Sequence, residues 1–199
     1  LISSGGVYGP QPVRLGKVPE SYLGIPDPLD PLSAYSMGKR AAEHLCSLYN
    51  DRFGLESVIA RCFAFVGEDL PLNVHFAIGN FIHDALYSAE IKVAGDGTPL
   101  RSYMNQADLA QWLLCILDKG VSGSAYNVGS DQAISISELA HLVRDILSPS
   151  KSVVFKNTAA TFQGRNAYVP DISAAKNDLN LDVTISLRES IGQFSRQSV

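Results

Sequence analysis

The chain has 199 residues, 46% of them hydrophobic and 18% charged, ordinary globular composition with material for one good core or two small ones. Its net charge of −4 offers no basic field to draw nucleic acid or a membrane surface. No apolar run approaches the roughly 20 residues that span a bilayer.

Leu1-Ile2-Ser3 reads as the end of a buried strand, with no signal-peptide pattern before it. The chain does not open on methionine, and it is expected to be a piece of a longer protein. Residues 10–33 carry Pro10, Pro12, Pro19, Pro26, Pro28 and Pro31 and are expected to form a loop. Ser33 is the expected N-cap of a helix in which Gly38, Ala41, Ala42, Leu45, Leu48 and Tyr49 recur at helical spacing, closed by Gly54. Residues 57–63 form a short β-branched and apolar run, a predicted buried strand. Strand, helix and strand in that order predict a parallel crossover.

Residues 64–74 are a predicted loop. A helix is expected over 76–88 with Phe76, Phe81, Ile82 and Leu86 inward. Residues 91–94, the Gly95-Asp-Gly-Thr98 turn and residues 101–104 read as a hairpin. A helix over 108–119 is stopped by Gly120, and 125–128 is a strand. Ser135-Ile-Ser-Glu138 is a capping box opening a helix to about residue 147. Residues 152–156 form another predicted strand, and 186–197 a final helix. Cys46, Cys62 and Cys115 share no disulfide or metal spacing, which predicts buried, reduced thiols in a cytoplasmic protein. His44, His75, His83 and His141 show no ligand pattern, so no metal is expected.

The chemistry concentrates in Tyr35-Ser-Met-Gly-Lys39 and in Ser3-Ser4-Gly5-Gly6-Val7-Tyr8-Gly9. Tyr35 and Lys39, four apart on a helix, project from one face. A free phenol, with a pKa near 10, is a poor base at neutral pH. A neighbouring ammonium stabilises the phenolate and brings it closer to working range. By itself such a pair is a weak signal.

Its surroundings are more specific. Ser-Ser-x-x-Val-Tyr-Gly, a proline-rich loop, Tyr-x-x-x-Lys, Ala41-Ala42-Glu43 and a strand ending near Arg61 resemble the extended short-chain dehydrogenase/reductases, the NAD(P)-dependent epimerases and dehydratases of nucleotide sugars. The run from Gly95 through Arg101 to Asp108-Leu-Ala110 looks like that family's substrate-domain segment. Tyr126-Asn-Val-Gly129 and Val169-Pro-Asp171 look like its downstream landmarks. The resemblance covers nearly all of the chain, in family order.

It implies an α/β fold: the C-terminal portion of a Rossmann-like, doubly wound parallel sheet plus a small α+β substrate-binding domain. Residues 1–63 would be the last part of the dinucleotide-binding domain. Residues 64–199 would be mainly the substrate domain, with returning strands of the sheet. It implies Tyr35 as catalytic base or acid, and Lys39 as the group that lowers its pKa and, with Tyr35, holds the nicotinamide ribose of NAD or NADP. Ser4 would bind the reacting hydroxyl, and Asn80 and Arg101 would bind a nucleotide-diphosphate sugar. Arg61 and Asp108 are expected to be structural, and Glu43 a solvated or fold-stabilising carboxylate. The resemblance also implies a homodimer with Leu45, Leu48 and Tyr49 toward the seam.

The departures narrow the activity. Family dehydratases carry an acidic pair where this chain has Gly5-Gly6. Removing water from a sugar needs both a general acid and a base, so the expectation shifts to a 4-epimerase or ketoreductase. A 4,6-dehydratase, or a non-catalytic binding or assembly module, remains the alternative. Ala64 stands where the family often has asparagine, and Gly38 where it often has serine. No Gly-x-x-Gly-x-x-Gly occurs anywhere in the chain, so tight NAD(P) binding by these residues alone is not expected.

Overall fold

The computed structural model describes residues 1–72, 74, 76–156 and 167–197; His75 lies outside them. The chain opens on strand β1 (Ile2–Ser4), which turns at once into a 3-10 segment, Gly5–Tyr8. Within β1 Ser3 is buried and Ile2 is exposed, so the strand is buried on one face only, and among the described residues it pairs on one side only. The proline loop follows. Gly9 adopts φ 67, and a Cβ there would lie 2.6 Å from the backbone of Ile25, so this turn requires glycine.

Helix α1 (Ala34–Phe53) starts behind a 3-10 turn, Pro31–Ser33, that Asp30 caps by accepting from the Leu32 N–H. Ser33 holds the N-cap position but makes no side-chain cap bond. Its backbone (φ −79, ψ −7) is already helical rather than extended, which turns the hydroxyl away from the first orphan N–H groups. Gly54 ends α1 in the left-handed conformation (φ 64), as expected.

Strand β2 (Ile59–Cys62) pairs in parallel with β1, Ile2 opposite Ala60 and Ser4 opposite Cys62. The segment beyond it is not wholly loop: β3 (Phe65–Val66) is a short strand. Helix α2 (Ala77–Tyr87) buries Phe81 and Ile82. Phe76 stays extended at its N-cap and is exposed, contrary to expectation.

Strands β4 (Ile91–Val93) and β5 (Leu100–Arg101) do not form the predicted hairpin. Asp96 accepts from both the N–H and the hydroxyl of Thr98, while Gly97 (φ 78) gives its carbonyl to the Ser137 N–H. The turn is therefore tied to another part of the chain and leads β5 away. Ile91 and Val93 are fully buried in a core with α2, a drive that a two-stranded hairpin could not match.

Strand β6 (Met104–Asn105) pairs in parallel with β3. Helix α3 (Gln106–Lys119) begins two residues earlier than expected because the Asn105 side chain caps it. Strand β7 (Ala125–Val128) then joins the far side of β2, giving a three-stranded parallel sheet in the order β1-β2-β7.

Strand β8 (Ile134–Ser135) leads into α4 (Ile136–Leu147), where both bonds of the Ser135/Glu138 capping box are made. Strand β9 (Val153–Phe155) pairs in parallel with β4. Strand β10 (Ala167–Tyr168) pairs in parallel with β5, whose other edge takes β8 in antiparallel. Helices α5 (Ser173–Leu179) and α6 (Leu187–Gly192) follow, and after α6 the last expected helix tightens into a 3-10 stretch, Gln193–Gln197.

Two main cores result. One lies between the sheet, α3 and α5, around Trp112, Tyr126 and Val128. The other holds α2, α4, α6 and β4, around Ile82, Leu139 and Ile191. No helix among the described residues is long and apolar enough to cross a membrane, and among them no cluster of His, Cys, Asp and Glu could hold a metal. The three cysteines are free but only partly buried.

Asp108, in the first turn of α3, is buried and accepts from the Thr184 N–H, the Thr184 hydroxyl and the Ile185 N–H. It is the structural group expected, pinning the approach to α6 onto α3. Asp108→Ala is expected to cost about 3 kcal/mol in urea unfolding, because the part-buried N–H groups of Thr184 and Ile185 lose a charged acceptor. A loss under about 1 kcal/mol would show that water replaces the carboxylate.

Candidate active site

Ser4 closes β1, and its Oγ accepts from the Gly6 N–H at 3.0 Å, capping the turn that follows. Its own O–H finds no acceptor among the described residues, so that donor remains for another oxygen. Tyr35 lies in the first turn of α1 and is 64% exposed. Lys39, one turn on, lies with its ammonium 5.8 Å from the centre of the Tyr35 ring and donates to the Ile2 carbonyl at 2.9 Å. The two side chains thus share a face, beside the edge strand β1.

No hydrogen bond joins the Tyr35 hydroxyl to Ser4. Among the α1 side chains that meet the turn, Ser36 is buried. A Cβ on Gly6 would stand 2.7 Å from Ser36 Oγ and 3.2 Å from Ser4 Oγ. Glycine at 6 is what lets α1 close on the strand end. Ser36 was not anticipated from the sequence; only its position beside Tyr35 could have pointed to it.

The rest of the sheet-facing side of α1 is polar. Arg40 donates to the carbonyls of Val7 and Gly24. Glu43 takes a two-pronged ion pair from Arg61, Nε to Oε1 at 3.0 Å and Nη2 to Oε2 at 2.8 Å, and accepts from the Ser3 hydroxyl at 2.5 Å. Both partners are largely shielded from solvent. Arg61 also donates to the Tyr8 hydroxyl at 2.9 Å and the Glu20 carbonyl at 3.1 Å, and its guanidinium lies 4.9 Å from the Tyr8 ring centre. Tyr8 in turn donates to Asn127, whose amide donates to the carbonyls of Val18 and Asp171. Glu43 and Arg61 are fold-stabilising, as expected. Tyr8, Glu20 and Asn127 belong to the same network, although the sequence marks Tyr8 and Asn127 only through motifs.

Burial shifts these groups. It pushes the Tyr8 phenol up to about 12 against the opposing pull of Arg61, and the Cys62 thiol up to about 11 against that of Lys39. It raises Glu20 as well, although the Asn127 N–H bond works the other way. Burial acts to lower Arg61, but the Glu43 bonds and Tyr8 outweigh it and hold the guanidinium above its usual value.

Arg101 sits on β5 with its guanidinium on the Leu100 carbonyl at 2.7 Å, and its Cα pairs with those of Ile134 and Tyr168. Asn80 is half-buried in the first turn of α2, and no side-chain bond brings it to Ser4, Tyr35 or Arg101. A cavity of about 470 Å³ is lined by Tyr103, Ile134, Leu142 and Leu187 among others, and Ser4, Tyr35, Asn80 and Arg101 are not part of its wall.

A parallel sheet whose first crossover helix carries Tyr-x-x-x-Lys defines a Rossmann-type α/β protein of the dehydrogenase/reductase class. The chain belongs to the NAD dependent epimerase/dehydratase family, whose model matches residues 1–129. It is 34% identical over 192 residues to UDP-glucuronic acid decarboxylase 1 of Arabidopsis thaliana, covering 96% of this chain and 43% of the relative. It is 31% identical to UDP-glucuronic acid decarboxylase 1 of Xenopus tropicalis, covering 97% and 45%. Among solved structures, UDP-glucuronic acid 4-epimerase from Bacillus cereus in complex with UDP-glucuronic acid and NAD superposes with a TM-score of 0.81 at 27% identity, covering 98% of this chain and 60% of that one. RMD from Pseudomonas aeruginosa complexed with NADPH gives a TM-score of 0.83 at 25% identity, covering 99% and 65%. The chain spans about half the length of the curated relatives it matches.

Glu43→Ala is expected to cost about 3 kcal/mol of unfolding free energy, since it leaves the Arg61 charge unanswered in a shielded place. Denaturant unfolding within about 1 kcal/mol of wild type would contradict this. The Tyr8 phenol holds its proton to about 12 in the folded chain but to roughly 10 when unfolded. Its contribution is therefore complete below pH ~10 and disappears as pH rises through 12. Urea midpoints are expected to fall across that window, and less steeply in Tyr8→Phe; equal slopes would overturn the assignment.

Proposed function

We propose that this chain carries the proton-handling and substrate-binding part of an enzyme that oxidises a hydroxyl of a uridine diphosphate sugar to a ketone and then acts on that keto sugar. The observation carrying this reading is the exposed Tyr35 phenol with the Lys39 ammonium on one face, against the strand β1 that ends at Ser4, in a chain of this family. The donor set suits the nicotinamide-ribose end of a dinucleotide. The pyrophosphate end would need backbone N–H groups of a glycine-rich turn that this sequence does not contain.

NAD(P), when bound, supplies the acceptor and donor of hydride. Ser4 donates a hydrogen bond to the reacting oxygen. Tyr35, as the phenolate that Lys39 stabilises, takes the hydroxyl proton as the C–H hydride departs, leaving a ketone and a neutral phenol. When the hydride returns, Tyr35 gives the proton back to the oxygen. Return to the opposite face of the sugar makes an epimer.

A second reading follows from the decarboxylase relatives: the carboxylate of the resulting β-keto acid leaves as carbon dioxide, its bonding pair passes into an enolate, and the Tyr35 phenol or water supplies the proton that quenches it. Dehydration fits less well, because Gly5 and Gly6 bring no acid or base to the turn. The face of α1 with Leu45 and Tyr49 exposed is proposed to pair with a second copy of the chain, and the free cysteines suit a cytoplasmic enzyme.

Tyr35→Phe in the complete protein is expected to lower kcat by about 100-fold or more, with KM changed less than about threefold, since the hydroxyl acts in the transition state. Near-normal turnover would favour a non-catalytic binding module.

A further inference from the structure

We propose that Ser3 is a positioning residue for the proton transfer: its hydroxyl fixes the register between the strand that presents Ser4 and the helix that presents Tyr35. The inference rests on the nucleotide-sugar reading above and names a residue that reading does not use.

Ser3 is 2% exposed, and its hydroxyl donates to Glu43 Oε1 at 2.5 Å. Among the described residues it is the one side chain of β1 that hydrogen-bonds to α1. The other bond between these two elements runs from Lys39 Nζ to the Ile2 carbonyl, in an exposed place. That bond is made by the ammonium that must also answer the Tyr35 phenolate, so it is a poor fixed strut. Arg40 reaches only the turn beyond β1, at the Val7 carbonyl. Glu43 is held by Arg61 as well, Nε on one oxygen and Nη2 on the other. That fork ties α1 to β2, whereas the Ser3 hydroxyl ties it to β1. A carboxylate oxygen has room for two donors, so neither bond displaces the other.

The two ties can therefore be separated. Loss of the Ser3 hydroxyl leaves the Arg61 charge answered and the helix seated on β2, but it frees α1 to move against β1. That motion reaches the reacting groups at both ends. Ser4 follows Ser3 directly, about 3.3 Å along the strand. Tyr35 stands two helical turns before Glu43, about 12 Å along the axis. Strand, hydroxyl, carboxylate and helix thus form one stiff path from Ser4 to Tyr35. A misplacement of about 1 Å between reacting groups can cost about 100-fold in rate, and one released hydroxyl permits a part of it. Substrate affinity is drawn from the whole length of a nucleotide sugar, so it changes little.

The test is a double-mutant cycle on steady-state turnover of UDP-glucuronic acid by the complete protein with NAD. Ser3→Ala is expected to lower kcat about tenfold with KM within about twofold of wild type. In the Tyr35→Phe background the same change is expected to alter kcat by less than about twofold, because no phenol is left to misplace. Unchanged kcat in Ser3→Ala overturns the proposal. An equal loss in both backgrounds also overturns it, since it would mean a general loss of active protein rather than a misplaced Tyr35. A Ser3→Ala chain that does not fold, read by circular dichroism, overturns it too, because the Arg61 fork would then not hold the helix without the hydroxyl. Absence of turnover in wild type overturns the nucleotide-sugar reading itself, and the role of Ser3 with it.

Discussion

Arg61 places a permanent charge on the central strand of the sheet, and a shielded guanidinium is tolerated only when its donors are answered. The answers come from four separate stretches of chain: Glu43 on α1, Tyr8 in the turn after β1, the Glu20 carbonyl in the proline loop and, through Tyr8, Asn127 on β7. Each partner is also held by something else, Glu43 by Ser3 and Asn127 by the carbonyls of Val18 and Asp171. Satisfying one charge therefore fixes the loop, the helix and both neighbouring strands relative to one another. Removal of any partner would leave the others buried and unpaired, the costly direction in such a network.

This constraint explains why α1 looks so little like a core helix. Ser36 is its one buried residue. The helix lies on the sheet through Lys39, Arg40 and Glu43, whose bonds to Ile2, Val7, Gly24 and Arg61 are directional. Apolar contacts would allow the helix to slide or roll; these bonds set its rotation and its height. Tyr35, Lys39 and Glu43 follow one another at four-residue steps, so the pair that answers Arg61 also determines where Tyr35 stands relative to Ser4. Geometry of that kind is what proton transfer demands.

The second half of the chain uses ordinary apolar packing, and its elements on both sides of β7 join α2 and β4 in a core separate from that of the sheet. Asp108 ties this part of the chain down from one side and Gln11 from the other, the first reaching Thr184 and Ile185, the second Val169. The segment with Arg101 and Tyr168 is thereby brought to the end of β1, although β5 and β1 share no hydrogen bonds. Phe63 and Tyr168 fill the space over Gly5, so the proline loop, the sheet and the later strands converge at one turn.

What the sequence determined by itself is what neighbours along the chain decide. The Ser135/Glu138 capping box, the left-handed Gly54, the stop at Gly120 and the shared face of Tyr35 and Lys39 all arise within one or two helical turns, and each was legible. So was the parallel strand–helix–strand unit, because a crossover leaves little other choice. What only the tertiary structure decided are pairings between distant segments. Residues 91–104 have the pattern of a hairpin, but Ile91 and Val93 are buried in the core with α2 and α4 while β4 pairs with β9, and strand patterning does not name its partner. The aromatic ring over Gly5 and the answers to Arg61 come from residues scores of positions away. No local propensity records them, because they follow from burial and charge satisfaction across the whole fold.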